Sequence, residues 1–274
     1  MITSTGPITG QHTRSSTPAS RLLLGGLAFL TLSPVLLLAV RATGAAWRYP
    51  AIFPTQRGID ALFAGLTGPT MVQALGTSLL LAAMTGVLGT AFGFVAGRAL
   101  VRATASVRRF ATAAAFLPVV APPIALGVGV QVLALRAGVG GGLTGVLLAH
   151  LVPAVGYLTL YFLGVLGAYD LSMEDEARTL GATPWQCFIR VTLPTLRPRL
   201  MEALLLGALV SWGQLALTLM VGGGAVRTLP VELLAFVRAG DDRLGAAAAI
   251  ILTIPPALAL SMLQLGARRT GAVT

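Results

Sequence analysis

Six apolar stretches of about 19 to 25 residues constrain the fold of this 274-residue chain more than any other feature. They lie near residues 22–40, 77–96, 111–135, 143–166, 203–221 and 246–266. Apolar residues make up 55% of the sequence, charged residues only 10%, and the mean hydropathy is +0.85. A helix needs about 20 such residues to cross the hydrocarbon core. Because backbone groups in lipid must pair internally and no alternating strand pattern occurs, we predict an all-α membrane protein with six transmembrane helices.

The arginines predict how these helices are oriented. If both termini face the cytoplasm, twelve of the nineteen arginines fall on the inner side and seven on the outer side. An excess of arginine marks cytoplasmic loops, so we predict a multi-pass protein of the inner cell membrane with both termini in the cytoplasm. The net charge of +10 sits at the edges of the lipid bilayer. It forms no basic groove with interleaved aromatics, which argues against nucleic acid as a partner.

The chain divides into a tail and one membrane domain. Residues 1–20 are polar and rich in Thr and Ser, and we predict that they form a disordered cytoplasmic tail. Residues 21–270 form the transmembrane domain. The first apolar run is longer than the core of a cleaved signal peptide, roughly 7–15 residues, which favours a retained helix over a signal. The single cysteine, Cys187, excludes an intrachain disulfide.

Residues 170–199 form the one long polar segment, between the fourth and fifth apolar stretches. Ser172 can cap a first helix there. The opening turn of that helix carries acids that suit the helix dipole, namely Glu174, Asp175 and Glu176. Gly181 is positioned to end or bend the helix.

A second short helix is predicted to follow within the same segment. Thr183 can cap it, with Pro184 at its first position. Its apolar residues recur at helical spacing and share one face: Ala182, Trp185, Phe188 and Ile189. We predict that this helix ends at Pro194. An ordinary solvated loop is the alternative, but the aromatic side chains would then have no burial partner.

This segment resembles the cytoplasmic loop of the permeases of binding-protein-dependent ABC importers, which have the type I fold. The family pattern is Glu-Ala-Ala, three residues, Gly, nine residues, Ile, any residue and Leu-Pro. Here Asp175-Glu176-Ala177 stands for Glu-Ala-Ala, Gly181 follows at the family's distance, and Val191-Thr192-Leu193-Pro194 completes the pattern. Asp175 replaces the glutamate and Glu176 the first alanine, so the acidic charge is retained one place later.

The resemblance implies a membrane-spanning permease subunit that forms half of a translocation pathway and needs no cofactor. It implies coupling to a separate ABC ATPase dimer through residues 172–198, a second permease subunit (identical or paralogous) and an extracytoplasmic solute-binding protein. The residues it assigns to the ATPase contact are Asp175, Glu176, Ala177, Gly181, Ala182, Pro184, Trp185 and Phe188. The rest of the chain is most similar to permeases for polyamines, thiamine, ferric iron or oxyanions.

Polar residues inside the predicted spans are few, and such residues are costly in lipid and often functional. We select five as candidates for the substrate pathway: His150, Tyr157, Ser211, Trp212 and Gln214. For His150 the alternative is a hydrogen bond between helices. For Trp212 and Gln214 a packing role fits equally well.

Two further features bear on the membrane domain. Pro118, Pro122 and Pro123 predict that the third span is bent or interrupted, either as a structural kink or as a gating bend. Residues 41–68 carry aromatics and prolines typical of a segment at the membrane interface. The family resemblance adds a second possible role for them, as part of a docking face for the solute-binding protein.

The sequence shows no catalytic constellation. It lacks a Gly-rich phosphate loop ending in Gly-Lys-Ser/Thr, and its two histidines supply neither a metal site nor a triad. We therefore predict a non-catalytic subunit with no metal. An ion-coupled secondary transporter is the main alternative, and interrupted helices would fit it. However, central carboxylates are missing from the spans, and residues 172–198 would then have no purpose.

Overall fold

The structure, a computed structural model, describes residues 18–45, 47, 51, 56–60, 63, 67–170 and 172–271. In these residues the chain is almost wholly helical. The α-helices are α1 (Pro18–Thr43), α2 (Pro69–Arg102), α3 (Ala105–Val120), α4 (Pro123–Arg136), α5 (Leu143–Gly167), α6 (Ser172–Thr179), α7 (Pro184–Cys187), α8 (Leu193–Trp212), α9 (Ala216–Gly222), α10 (Leu229–Arg238) and α11 (Asp242–Gly271). A π-helix, Phe188–Thr192, joins α7 to α8. Two short strands, β1 (Gly44–Ala45) and β2 (Gln56–Arg57), pair antiparallel.

The all-helical prediction is confirmed, and its count of spans is met when bent helices are paired. Four described helices are long and apolar enough to cross a membrane: Gly25–Thr43, Pro69–Arg102, Leu143–Gly167 and Asp242–Met262. Two helix pairs, α3 with α4 and α8 with α9, pass the same test together but are bent by 106° and 63°. Counting each pair as one span gives six. Of the predicted tail, residues 1–17 lie outside the described residues, and α1 begins at Pro18.

The interruption of the third stretch follows from two adjacent prolines. Pro118 lies inside α3, whereas the break falls at Ala121 and Pro122, whose ψ angles are 136° and 130°. The proline ring disfavours the α conformation in the residue that precedes it, and both of these residues precede a proline. The predicted interruption is confirmed, and the two helices meet at 106°.

The fifth predicted span, residues 203–221, is bent by 63° and is not one straight helix. The first part, α8, ends at Trp212, and α9 begins only at Ala216. Gly213 stands at the break, and glycine disfavours a helix by about 1 kcal/mol relative to alanine. His150 of α5 hydrogen-bonds to a side chain on each side of the break, as described below, so tertiary contacts hold the bent form.

Helix α2 lies at the centre of the bundle and packs against α5 and α8. A Cβ atom at Gly93 would lie 2.5 Å from the Cβ of Leu158, and one at Gly97 would lie 2.6 Å from the Cβ of Phe162. Carbon atoms of two residues that are not bonded to each other do not approach so closely, so only glycine allows the helix backbones to meet at these points. Gly86 of α2 faces α8 in the same way, with its Cβ position 2.8 Å from the carbonyl oxygen of Leu204. These three helices form the closely packed core.

The described connections between spans collect at two ends of the bundle. At one end, Arg41 in the last turn of α1 forms an ion pair with Asp242 at the start of α11. Nearby, Arg243 Nη2 donates to the carbonyl oxygen of Gly58 at 3.4 Å. At the other end, α6, α7 and the π-helix lie beside the C-terminal end of α2. Successive spans therefore run in opposite directions, as the predicted order of spans requires, and the whole polar segment lies at one end of the bundle.

Candidate functional site

The polar segment begins with α6, which ends in a tight turn at Gly181. The φ angle of Gly181 is +88°. Its N–H donates to the carbonyl of Arg178 at 2.9 Å, and the N–H of Ala182 donates to the carbonyl of Ala177 at 3.0 Å. This pair of bonds is the Schellman motif, in which glycine adopts the left-handed conformation after a helix. The predicted helix end at Gly181 is confirmed.

The start of α6 differs slightly from the prediction. Ser172 is the first residue of the helix, and its backbone N–H donates to Oδ1 of Asp170 at 2.9 Å. Asp170, two residues before the helix, therefore satisfies one of the free donors that Ser172 was predicted to cap. The hydrogen bonds from the backbone and side chain of Ser172 hold the pKa of Asp170 below its usual range.

The second helix begins as predicted but continues past its predicted end. The side-chain oxygen of Thr183 accepts from the N–H of Gln186 at 3.3 Å, and the amide oxygen of Gln186 accepts from the N–H of Thr183 at 2.9 Å. This capping box starts α7 with Pro184 at its first position. The predicted stop at Pro194 is wrong, because α7 passes through the π-helix directly into α8.

The π-helix explains how the chain tolerates a proline there. Proline has no N–H to donate and normally disrupts the hydrogen bond to the residue four before it. Here the N–H of Leu193 bonds to the carbonyl of Phe188, five residues back. The wider turn changes the bonding pattern just before Pro194, so the helix continues through the proline.

The residues predicted for the ATPase contact divide into an exposed set and an inward set. Asp175, Glu176, Gly181, Pro184 and Trp185 are exposed, whereas Ala177, Ala182 and Phe188 are half-buried. The single apolar face predicted for the second helix is only partly correct. Trp185 and Ile189 point to the surface, but the ring of Phe188 lies between Trp185 and Phe94 of α2, with centroid distances of 5.9 Å and 6.0 Å.

The exposed side of the segment carries large apolar side chains around a groove. Leu180 is 88% exposed and Trp185 is 68% exposed. The groove, about 330 Å³, lies between the end of α6 and the π-helix, and Leu180, Cys187 and Arg190 are among the residues that line it. We call Leu180, Trp185, Ile189 and this groove the docking surface. Exposed apolar groups beside a groove are typical of a surface that binds another protein.

A buried carboxylate lies beneath the docking surface. Glu174 of α6 is 1% exposed. Arg98 of α2 donates to both of its oxygens, with Nη1 3.0 Å from Oε1 and Nη2 bonded to Oε2. Thr192 Oγ1 donates to Oε1 at 2.8 Å, and Nη2 of Arg102 lies 3.6 Å from Oε2.

This environment keeps Glu174 ionised. Burial alone would raise the pKa of Glu174, but the hydrogen bonds from Arg98 and Thr192 and the charges of Arg98 and Arg102 outweigh it, so the pKa is lowered. Sequence reasoning placed Glu174 only in the first turn of a helix. Its main partner stands 76 residues earlier in the chain, and no local pattern indicates that pair.

Three of the five candidates for the substrate pathway lie together. His150 is 1% exposed, with Nδ1 2.8 Å from Ser211 Oγ and Nε2 2.9 Å from Thr218 Oγ1. Thr218 Oγ1 also donates to the backbone carbonyl of Gln214 at 2.7 Å. A hydroxyl has one proton, and that of Thr218 is used on Gln214, so Thr218 accepts from Nε2–H of His150. His150 therefore bridges α5, α8 and α9 through hydrogen bonds, which matches the alternative considered for it.

The other two candidates lie apart from this cluster. Trp212 is 4% exposed, and its Nε1 donates to the carbonyl of Leu252 at 2.9 Å. It packs among Met71, Leu229 and Ile251, which favours a packing role. Tyr157 is 38% exposed on α5. Among the residues that the structure describes, no group of three or more His, Cys, Asp or Glu side chains could hold a metal ion.

The chain is similar in sequence to a family of membrane transport proteins and to several of its members. Residues 89–267 match the sequence profile of the family described as "Binding-protein-dependent transport system inner membrane component". The chain is 33% identical over 159 residues to the "Putative 2-aminoethylphosphonate transport system permease protein PhnV" of Salmonella typhimurium, covering 57% of this chain and 60% of that protein. It is 30% identical over 197 residues to the "Putrescine transport system permease protein PotI" of Escherichia coli strain K12, covering 68% and 69%.

The chain thus spans less than two thirds of the length of PhnV. Its fold is also similar to a chain in the crystal structure of a bacterial alginate ABC transporter in complex with alginate pentasaccharide-bound periplasmic protein. That likeness has a TM-score of 0.63 and 14% sequence identity, and it covers 90% of this chain and 91% of the other. At this identity the likeness concerns the fold.

Proposed function

The chain belongs to the family of binding-protein-dependent transport system inner-membrane components, and on this premise we propose how it acts as the permease subunit of an ABC importer. It is a multi-pass protein of the inner membrane and forms half of the pathway that solute follows. A second permease subunit, identical or paralogous, completes the pathway. The chain itself is not catalytic, and a separate ABC ATPase dimer supplies the energy.

The ATPase binds the chain at the docking surface. The observation that carries this proposal is the exposure of Leu180 and Trp185 on a segment held firmly from within. The Schellman turn at Gly181 and the capping box at Thr183 fix the backbone, so the apolar groups are presented without a large loss of conformational freedom on binding. Asp175 and Glu176 add exposed negative charge beside them. A helix of this kind fits an apolar groove on a partner.

This contact requires that the docking surface faces the cytoplasm, where ATP is available. The arginine distribution agrees, because the inner side holds twelve of the nineteen arginines. An even number of spans then leaves both termini in the cytoplasm. The opposite end of the bundle, which includes the Arg41–Asp242 pair, faces outward and is where an extracytoplasmic solute-binding protein delivers its cargo.

We propose that the cargo is a small charged solute of the polyamine, thiamine, ferric iron or oxyanion group. The relatives named above for 2-aminoethylphosphonate and putrescine support this range. To test this, uptake of labelled putrescine, 2-aminoethylphosphonate and sulfate is measured in cells with and without the chain.

An ion-coupled secondary transporter is the competing hypothesis, and the bent helix pairs fit it. However, the two buried carboxylates among the described residues stand near the ends of the bundle. Glu174 is paired with Arg98, and Oε1 of Glu232 lies 3.5 Å from Nη1 of Arg227. Uptake measured with the cation gradient collapsed and ATP maintained separates the two, because only an ATP-driven importer continues under that condition.

Co-purification tests the ATPase contact. The tagged chain is extracted from its own membranes, and the co-purified subunits are assayed for ATP hydrolysis. Leu180→Asp should abolish the co-purification, because Leu180 is 88% exposed and its replacement leaves the chain's own packing intact. Leu143→Asp, at the start of α5 and the opposite end of the bundle, is the control for position and should retain the ATPase. Retention by the Leu180 variant would refute the proposed contact.

A further inference from the structure

We propose that Glu174 is the positioning residue that transmits ATPase movement from the docking surface to the membrane core, through its ion pair with Arg98. This inference rests on the proposed function, since it presumes that an ATPase binds the docking surface. It concerns a residue that does not contact the partner itself, because Glu174 is buried.

One carboxylate joins three elements of the chain. Glu174 belongs to α6, Arg98 to α2 and Thr192 to the π-helix, and both oxygens of the carboxylate are used. The guanidinium of Arg98 forms a two-pronged contact, which fixes direction as well as distance. The docking surface is built on α6, α7 and the π-helix. Any displacement of that surface must therefore displace Arg98 or break the pair.

Breaking the pair is strongly opposed by burial. Glu174 is 1% exposed, so water cannot replace Arg98 unless α6 lifts away from α2. An unpaired charge left in such a place is far less stable than the pair. A second link runs parallel to the first, from Phe188 to Phe94 at 6.0 Å and from Phe94 to Phe162 of α5 at 5.3 Å. The polar and aromatic links together make a stiff joint.

Helix α2 is suited to carry the movement onward. Its 34 residues span about 50 Å at 1.5 Å per residue, well beyond the roughly 30 Å hydrocarbon core. The contacts of Gly93 and Gly97 tie it to α5 along its length. Towards its other end, Ser78 Oγ accepts the N–H of Leu229 at the start of α10, 2.8 Å away. By contrast, none of the 16 residues of α3 is fully buried.

A neighbouring ion pair provides a matched control. Arg199 and Glu202 of α8 lie 2.9 Å apart, and Tyr161 Oη of α5 donates to Glu202. This cluster also combines arginine, glutamate and a hydroxyl group, but the side chains of Arg199 and Glu202 are 56% and 30% exposed. It does not connect the docking surface to α2. Loss of the Glu202 charge should therefore leave transmission intact.

Hydrogen–deuterium exchange on the chain with its bound ATPase tests the inference. In the wild type, ATP with vanadate should change exchange both in residues 172–189 and in the C-terminal turns of α2. In Glu174→Gln the change in residues 172–189 should remain and the change in α2 should fall by about tenfold, a coupling effect of ordinary size. Glu202→Gln should match the wild type.

The possible outcomes separate the two hypotheses. A wild type without any nucleotide-dependent change in residues 172–189 would overturn the proposed function, and the inference with it. A change in residues 172–189 that still reaches α2 in Glu174→Gln would overturn the inference alone. If Glu174→Gln no longer binds the ATPase, Arg98→Lys replaces it, since lysine keeps the charge but not the two-pronged contact. Full transmission in that variant would also overturn the inference.

Discussion

Gly181 offers a sharp test of the docking surface because the chain supplies its own controls. Gly138 and Gly240 end other helices with the same pair of backbone hydrogen bonds. Their φ angles are +71° and +73°, close to the +88° of Gly181. At all three positions an added Cβ would find no other atom of this chain within 4 Å. The three glycines therefore differ in location and hardly at all in local geometry.

The same substitution should therefore have the same effect on stability at each site. Leucine must adopt the left-handed conformation there, which costs roughly 1–2 kcal/mol. No neighbouring atom adds to that cost. We expect Gly181→Leu, Gly138→Leu and Gly240→Leu to lower the free energy of unfolding by similar amounts, measured as thermal melting of the purified chain in detergent.

ATPase binding should distinguish the three sites. Only Gly181 lines the docking surface, so only its leucine meets the partner. Forcing a side chain into a packed interface costs about 1–3 kcal/mol, which is roughly a 5- to 150-fold loss of affinity. Titration of the purified ATPase against each variant measures this loss. Gly181→Asn separates the two effects, because asparagine tolerates the left-handed conformation yet still projects a side chain.

We expect Gly181→Asn to retain most of the stability and to bind the ATPase weakly. Equal ATPase affinity for Gly181→Leu and Gly138→Leu would refute the reasoning. So would a much larger loss of stability at Gly181 than at the two control sites, since the effect would then come from the chain's own packing.

Four further predictions concern charges and polar groups. Because the pKa of Glu174 is lowered in the folded chain, its ion pair stabilises the fold at pH values above the ordinary pKa of 4.5, and this stabilisation is lost as the pH falls through the lowered pKa. The difference in melting temperature between the wild type and Glu174→Gln should therefore close at acidic pH. A difference that stays constant with pH would contradict this. His150→Phe removes the hydrogen-bond partner of the buried Ser211 hydroxyl and one of the two partners of Thr218, so melting should show a loss of about 1–3 kcal/mol in the free energy of unfolding, and an unchanged melting temperature would contradict this. Gln214→Ala should change the apparent affinity of uptake while sparing ATPase binding, and an unaltered uptake affinity would contradict this. Trp212→Phe should lower the free energy of unfolding by about 1 kcal/mol through the lost hydrogen bond, and an unaltered melting temperature would contradict this.

Local chemistry explains why much of the fold could be predicted. The apolar stretches mark the spans because length and hydropathy alone decide whether a helix can cross a membrane. Gly181 marks a helix end because only glycine readily adopts the left-handed conformation that the Schellman turn requires. Thr183 and Pro184 mark a helix start through contacts within four residues. Adjacent prolines predict the break of the third stretch for the same local reason.

Features that depend on distant partners could not be read from the sequence. The pair of Glu174 with Arg98 joins residues 76 positions apart, and one sequence offers no signal for it. The bend of the fifth stretch has only one local sign, Gly213, and depends on the His150 bridge. Phe188 was predicted to share one apolar face with Trp185 because of its helical spacing, yet its ring also lies against Phe94, a residue 94 positions earlier in the chain. The position of the candidate site in the chain was thus predicted, but the buried contacts that hold it, those of Glu174 with Arg98 and of Phe188 with Phe94, were not.

Site-specific photo-crosslinking from residue 180 in intact cells tests the central claim most directly. A benzophenone amino acid replaces Leu180, which is 88% exposed at the centre of the docking surface, and the same probe at residue 143 serves as the control. We expect residue 180 to form a covalent adduct with an ATPase subunit on the cytoplasmic side, and residue 143 to form none. An adduct of residue 180 with an extracytoplasmic protein, or its modification by a membrane-impermeant reagent added outside the cell, would contradict the account.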